Sequence, residues 1–205
     1  MGKVFADISM SLDGFITGPD DGPALPLGQE GERLHEWIYD LASWRERHGL
    51  EGGTSNRDSD IITDAFENAG AVLMGRRMFD LGEEPWGAEP PFHMPVFIVT
   101  HRARETEVRE GGTTYNFVTD GLDSALQQAQ AAAGGKDISV GGGAMLIQEC
   151  LKAGLLDEIQ VHLVPILLGG GRRLFDNLGT APVELAVTRV IESPHVTHLR
   201  YRVIR

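Results

Sequence analysis

Residues 157–175, DEIQVHLVPILLGGGRRLF, decide the fold. Two carboxylates, Asp157 and Glu158, open the stretch, and alternating then continuous apolar residues follow: Ile159, Val161, Leu163, Val164, Ile166 and Leu167. Three glycines, Gly169, Gly170 and Gly171, end it. Alternation at period two predicts a strand over residues 158–167, and the glycine run predicts its termination. Immediately upstream, a strand over residues 137–140 meets Gly141-Gly142-Gly143, and a helix over residues 144–153 stops at Gly154. Further back lie a strand at 71–74 closed by Gly75, a nearly all-apolar strand at 96–100 and a shorter one at 115–118. An amphipathic helix over 122–133 runs through Leu122, Ala125, Leu126 and Ala129. Thr119 and Asp120 are its capping candidates, and it stops at Gly134-Gly135. Strand and helix in alternation imply crossover connections, hence a mostly parallel central sheet with helices on both faces. Downstream, strands at 183–192 and 196–204 flank Ser193-Pro194-His195, which predicts an antiparallel C-terminal hairpin.

Towards the N-terminus, residues 3–10 read as a buried strand and SLDG (11–14) as its turn. A loop punctuated by Pro19, Gly22, Pro23, Pro26 and Gly28 leads to a helix whose apolar positions Leu34, Trp37, Ile38, Leu41 and Trp44 recur at three- and four-residue steps. That stripe is a core face, with the wall of a substrate pocket as the alternative for the two tryptophans. Residues 49–60, rich in Gly, Ser, Asp and Asn, predict a mobile connection to a short helix ending at 64–68. A second irregular stretch is expected at 83–95, around Trp86.

At 205 residues and 41% hydrophobic, the chain predicts one domain, 1–205, with one sizeable core. A formal charge of −12 and a pI near 4.9 argue against nucleic acid or an anionic membrane as partner, so an anionic ligand needs a local basic pocket. The single cysteine, Cys150, excludes an internal disulfide and points to the cytoplasm. Asp7 interrupts the apolar run begun by Val4, Phe5 and Ala6, so neither a signal segment nor a membrane span is expected there.

Taken with ISMSLDGFI (8–16) and VLMGRRMFD (72–80), the opening stretch resembles the dihydrofolate-reductase-like family, in the branch that includes the bacterial riboflavin-biosynthesis reductase domain. The resemblance runs almost the whole length. It implies an α/β three-layer fold and NADPH as cofactor. In that family a glycine run like Gly141, Gly142 and Gly143, with Ala144 and Met145 opening the next helix, carries the cofactor diphosphate. Glycine permits close backbone approach and a helix N-terminus attracts anions, although a ligand-free turn needs no more. Gly75, Arg76, Arg77 and Met78 resemble the family's Gly-Arg helix start that contacts cofactor phosphates; two adjacent arginines taken alone read as a solvated pair. Thr100, His101 and Arg102 end a strand where doubly wound sheets form their ligand crevice, and with no acid immediately there they favour a 2′-phosphate, hence NADPH over NADH. Asp13 to Thr17, with Ile16, resembles the family segment that folds over the nicotinamide. Asp13 is the carboxylate expected near the reaction, either orienting that loop or assisting proton delivery. Glu32, Glu36 and Asp40 are all candidates for a substrate carboxylate and none can be singled out, so folate is a doubtful substrate.

The reading that results is NADPH-dependent reduction of a small heterocyclic or imine-like substrate. Its alternatives are the riboflavin-pathway ribosylamino-pyrimidine reductase and a non-catalytic nucleotide-binding module. No metal site is expected: His195 and His198, three apart on a strand, point to opposite faces, and the other histidines are scattered. Cys150 shares a helix face with Leu146, Ile147 and Leu151 and reads as core. There is no nucleophile elbow, HExxH helix or lysine-bearing phosphate loop. Finally, Ile159, Val161 and Leu163 would form an outward apolar set on their strand, which predicts a homodimer built there, as the resemblance also implies.

Overall fold

Nine strands build one sheet in the order β10-β11-β8-β1-β7-β3-β4-β6-β5. They belong to a computed structural model that describes residues 2–205. In chain order the elements are β1 (Val4–Ser11), β2 (Phe15–Thr17), α1 (Glu36–Tyr39), α2 (Ala42–Arg47), α3 (Arg57–Asn68), β3 (Ala69–Gly75), α4 (Arg76–Trp86), β4 (Pro95–Val99) and β5 (Glu107–Val108). Then come β6 (Thr114–Val118), α5 (Leu122–Ala132), β7 (Asp137–Gly142), α6 (Ala144–Lys152), β8 (Glu158–Val164), β9 (Arg172–Arg173), β10 (Leu185–Glu192) and β11 (Thr197–Val203). β8, β1, β7, β3, β4 and β6 pair in parallel. β11 runs antiparallel to β8 and β10 antiparallel to β11, which is the expected C-terminal hairpin on an α/β sheet. β2 pairs only with β9, in a separate ribbon.

Side-chain alternation sorts the layers. Ala71 and Leu73 of β3 join Val140 of β7 and Leu146, Ile147, Cys150 and Leu151 of α6 in one core, to which α5 adds Ala125, Leu126 and Ala129. Val72 and Met74 point the other way, to Phe79 of α4 with Val96, Ile98 and Tyr115. A third cluster, Leu34, Trp37, Ile38, Leu41 and Ile62, closes on Val164 and Val196 at the β8–β11 end.

Six expectations change. The stripe from Leu34 to Trp44 is core, but it is carried by a 3₁₀ turn and two short helices, because Leu41 is extended (φ −76°, ψ 136°) and breaks the run. The supposedly mobile 49–60 segment gives its last residues to α3, which Asn56 caps by accepting the Ser59 N–H at 3.0 Å. Its Asn, Ser and Asp residues are therefore partly a cap and first turn. Helix α4 likewise runs to Trp86 and takes the first four residues of the stretch expected to be irregular from 83. Strand β8 ends at Val164 rather than 167, since Pro165 brings no N–H for the ladder and the Ile166 N–H turns back to the Val164 carbonyl. Moreover, Ile159 and Val161 are buried in the chain's own core, so they form no outward face. At α5 the N-cap is Gly121 and no side chain caps it, neither Thr119 nor Asp120. None of the described helices is long and apolar enough to cross a membrane.

Candidate active site

β3 and β7 are neighbours, yet the helix after β3 packs on one sheet face and the helix after β7 on the other. That divergence opens a crevice at the strands' carboxyl ends. Its floor is glycine. A Cβ on Gly75 would lie 3.6 Å from both the Gly142 oxygen and the Gly143 nitrogen, so the two turns touch backbone to backbone. Gly142 has φ +112° and a Cβ there would meet Met78 Sδ at 3.3 Å, whereas a Cβ on Gly143 would meet nothing within 4 Å. The Gly142–Gly143 peptide is cis. Neither α4 nor α6 has a side-chain cap, so the first N–H groups of two adjacent helices are left for an outside acceptor. The cradle fits a diphosphate. Ala144 is buried at the α6 start and Met145 is exposed on its first turn.

The arginines here are engaged with carboxylates that are distant in sequence. Arg76 donates to Asp80 (2.7 Å), and Arg102, from the turn after β4, donates to the other oxygen of the same carboxylate (2.6 Å). Burial opposes ionisation of Asp80, but the two guanidinium groups outweigh it and hold the carboxyl below the usual carboxylate range. Thr100 is buried, and its hydroxyl accepts the Arg102 N–H at 3.0 Å; His101 is exposed. So Thr100 shapes the turn that presents Arg102. Arg77 turns away from Arg76. It donates through Nε to Asp21 (3.0 Å), which also accepts from Arg172 (2.7 Å), and this ties the loop after β2 to α4 and β9. Next along, Arg104 and Arg109 share Glu83 and Glu107. The sum over Arg76, Arg102, Arg104, Arg109, Asp80, Glu83 and Glu107 is four positive against three negative, a small positive excess in a chain of net charge −12.

Asp13 sits at the other side of the β1 end. Its carboxylate accepts from Ser11 Oγ (2.7 Å), the Leu168 N–H (3.1 Å) and the Gly169 N–H (2.8 Å), so it anchors the start of the second glycine run. The Ser11 hydroxyl foremost, against some desolvation, together with the two amides holds its pKa down to about 2. The following segment is pinned as well: Phe15 and Thr17 pair with β9, Arg173 lies 4.3 Å from the Phe15 ring centre and donates to the Asp13 carbonyl, and Ile16 is in the core. Thr17 Oγ1 accepts from the Arg172 N–H at 3.3 Å. The segment after Asp13 is thus a ribbon clamped to β9.

Glu32, Glu36 and Asp40 are exposed. Tyr39 donates to Glu32 at 2.6 Å, and Thr54 donates to Asp40 at 3.0 Å. Trp37 is core, with its Nε1 donating to Ser9 Oγ at 3.2 Å, and half-buried Trp44 packs on Tyr39. Asp21, Asp80 and Arg172 were not foreseen. Only Asp80 had a local signal, four residues after Arg76 on one helix face. A further group also escaped notice: His162 and His198, far from scattered, meet in the interior.

A family model described as RibD C-terminal domain matches residues 2–199. The uncharacterized protein YyaP of Bacillus subtilis (strain 168) is 25% identical over 180 residues, 84% of this chain and 80% of YyaP. Among solved structures, a putative riboflavin biosynthesis protein from Shewanella sp. PV-4 is similar with a TM-score of 0.71 and 21% identity, covering 100% of both chains. RibD of Acinetobacter baumannii is similar with a TM-score of 0.61 and 17% identity; all of this chain (100%) spans 59% of it. At such identities the two structural likenesses speak for the fold alone.

Proposed function

The chain belongs to the RibD C-terminal domain family, and from that premise we propose that it is an NADPH-dependent oxidoreductase, one reductase domain over residues 1–205, acting on a small heterocyclic or imine-like substrate. The observation that carries this reading is the crevice between Gly75 and Gly143, where two uncapped helix N-termini meet beside open space. Backbone N–H groups at Arg76, Ala144 and Met145 would hold the diphosphate, with Arg102 and Arg76 toward a 2′-phosphate. The cofactor supplies the hydride when bound. What the chain adds is position: Met78 and Ile8 pack against Gly142, and Asp13 fixes Leu168 and Gly169. A carboxyl with a pKa of about 2 has no proton to give at neutral pH, so this reading assigns Asp13 to loop orientation and the product proton to water. We place the protein in the cytoplasm, where a lone buried thiol, pushed up to about 12 by burial at Cys150, stays inert.

The test is NADPH consumption monitored with a panel of pterins, ribosylamino-pyrimidines and quinones. Substrate-dependent oxidation of NADPH supports a reductase, and turnover confined to the ribosylamino-pyrimidine selects the riboflavin-pathway reading, which the family favours. Tight NADPH binding without turnover on any of them leaves the nucleotide-binding module. For Asp13, magnitudes separate the roles. Loss of a general acid costs roughly 100- to 10,000-fold. Asp13→Asn is expected to lower kcat by less than about tenfold and leave the shape of its pH profile unchanged, while amide exchange at Leu168 and Gly169 quickens. A larger loss with a vanished pH limb would return Asp13 to acid catalysis.

The homodimer belongs to this proposal on the sheet face first expected but farther out, on the edge strands β10 and β11 instead of β8. The register of β10 on β11 puts Leu185, Val187 and Val190 on one sheet face with Val203, Tyr201 and Leu199. No helix covers Val187 and Val190, which are 63% and 59% exposed. Light scattering is expected to give twice 22.3 kDa, and Val187→Lys with Val190→Lys is expected to give the monomer mass. A wild-type mass near 22.3 kDa would end this idea.

A further inference from the structure

On the sheet face turned toward α1 and α3, four ionisable side chains form an unbroken line. Asp7 of β1 meets Nε2 of His162 on β8. Nδ1 of His162 lies 2.6 Å from Nδ1 of His198 on β11, and Nε2 of His198 lies 3.0 Å from Oδ1 of Asp58 on α3. Register produces the line: His162 sits opposite Ser9 in the parallel pair and opposite His198 in the antiparallel one. Both imidazoles are buried, and the Trp37 ring covers them at centroid distances of 4.8 and 5.2 Å.

Counting hydrogens is decisive. Three contacts each need one hydrogen, but two ionised carboxylates and two neutral imidazoles bring only two. Without a third, one contact would have no hydrogen, setting either two nitrogen lone pairs at 2.6 Å or a nitrogen lone pair and a carboxylate oxygen against each other inside the protein. A shared metal ion is no substitute, because nitrogens each about 2.0–2.1 Å from a tetrahedral ion stand roughly 3.3 Å apart. We propose that this line holds one additional proton as a structural component, an imidazolium–imidazole pair bracketed by Asp7 and Asp58, and that the proton clasps α3 and the β10–β11 turn to the sheet and lets them loosen when it leaves.

The surroundings are consistent with one added proton and not two. Burial, and then the neighbouring imidazole, lower the His198 pKa against the pull of Asp58, so the geometry of the line must hold the added proton against that penalty, and a second would add imidazolium–imidazolium repulsion to it. Of the other facing groups, Ser193 reaches the Asp58 oxygen that also faces His198, and Gln160 reaches the Asp7 oxygen turned away from His162. Gln160 donates to the second Asp7 oxygen at 2.9 Å, and Ser193 donates to Asp58. Arg189 of β10 donates to Gln160 and stands 3.9 Å from Asp64 of α3. Arg200 of β11 and Lys3 are both taken up by Glu158. His35, before α1, is pushed down to about 4, by burial first, and is neutral at pH 7. A cavity of about 20 Å³, room for one water, is lined by Asp7, Asp64, Gln160 and Arg200 and offers the proton an exchange route. Leu34, Trp37, Ile38 and Leu41 pack with Val164, Ile166 and Leu168, so loosening of this layer would reach the segment that Asp13 anchors.

Nitrogen-15 NMR of the histidine rings tests the count without any reference to enzyme activity. At pH 7 the wild type is expected to show one ring protonated on both nitrogens and the other on Nε2 alone. In Asp58→Asn, which removes one bracketing charge, the added proton should leave at a pH lower by about one unit or more. Linkage gives a second readout. If the folded pair keeps its proton above the unfolded histidine value of about 6.5, the native state binds one more proton than the unfolded chain. Above about pH 6.5 the folding constant then falls about tenfold per pH unit until the folded pair itself titrates, and below it stability also falls, because both histidines of the unfolded chain take a proton while the folded line holds only one. Two singly protonated rings in the wild type from pH 6 to 8, with the same pH slope of stability in wild type and Asp58→Asn, would overturn the proposal.

Discussion

Gly143→Val is expected to weaken NADPH binding by about a hundredfold or more, a loss of about 2.7 kcal/mol or more, while thermal unfolding stays close to wild type. The reason is local. Gly143 has φ −83° and ψ −167°, an extended backbone open to any residue, and a Cβ there would have no atom within 4 Å. Valine is therefore tolerated by the protein and intrudes only on the space in front of the α6 N-terminus, where the Ala144 and Met145 N–H groups have no side-chain cap. Gly142, the more obvious choice from sequence, is the poorer one. Its φ of +112° and the Met78 sulfur at 3.3 Å mean that valine would strain the fold whether or not a ligand binds there. Calorimetric titration with NADPH, alongside a melting curve, decides the matter. Unchanged affinity in a normally folded Gly143→Val protein would reduce the glycine run to a turn.

The glycine run was legible because close backbone approach has a local signature, and the same holds for most of the sheet. Asp137–Gly142 and Ala144–Lys152 follow from a strand pattern, three glycines and an apolar helix face within sixteen residues. Helix α3 was half hidden because its start, Asn56 followed by RDSD, uses the residues that also make loops, and only the Asn56 side chain on the Ser59 N–H distinguishes a cap from a turn. The 34–44 stripe shows a different limit. Apolar spacing fixes which residues are buried but does not require one continuous helix, and Leu41 breaks it without any glycine or proline to announce the break. What stayed out of reach depends on contacts between distant parts of the chain. Arg77 finds Asp21 at 56 residues' separation, and Arg172 finds the same carboxylate at 151. His162 and His198 meet only because β11 pairs with β8 as well as with β10, a register that nothing within either strand specifies. Charge pairing over such distances has no period to read.

Arg102→Ala is expected to lower NADPH affinity by about ten- to a hundredfold, through loss of one charge-assisted contact of roughly 1.5–3 kcal/mol, and to change NADH affinity little. The structure bears on where in that range the loss should fall. Arg102 is 65% exposed and already donates to Asp80, so its contact with a 2′-phosphate would compete with that carboxylate and be screened by salt. Arg76 holds the other Asp80 oxygen and would remain after the substitution as a second cation. Both effects point to the lower end, near tenfold. They also make a sharper test available: the NADPH preference should shrink further as ionic strength rises, because an exposed phosphate contact is weakened by salt while the diphosphate cradle of backbone N–H groups carries no net charge to screen. Titrating wild type and Arg102→Ala with both nucleotides at low and high salt reads this directly. Equal losses for NADPH and NADH would show that Arg102 supports the turn after β4, as the Thr100 hydroxyl on its N–H does, and takes no part in choosing the cofactor.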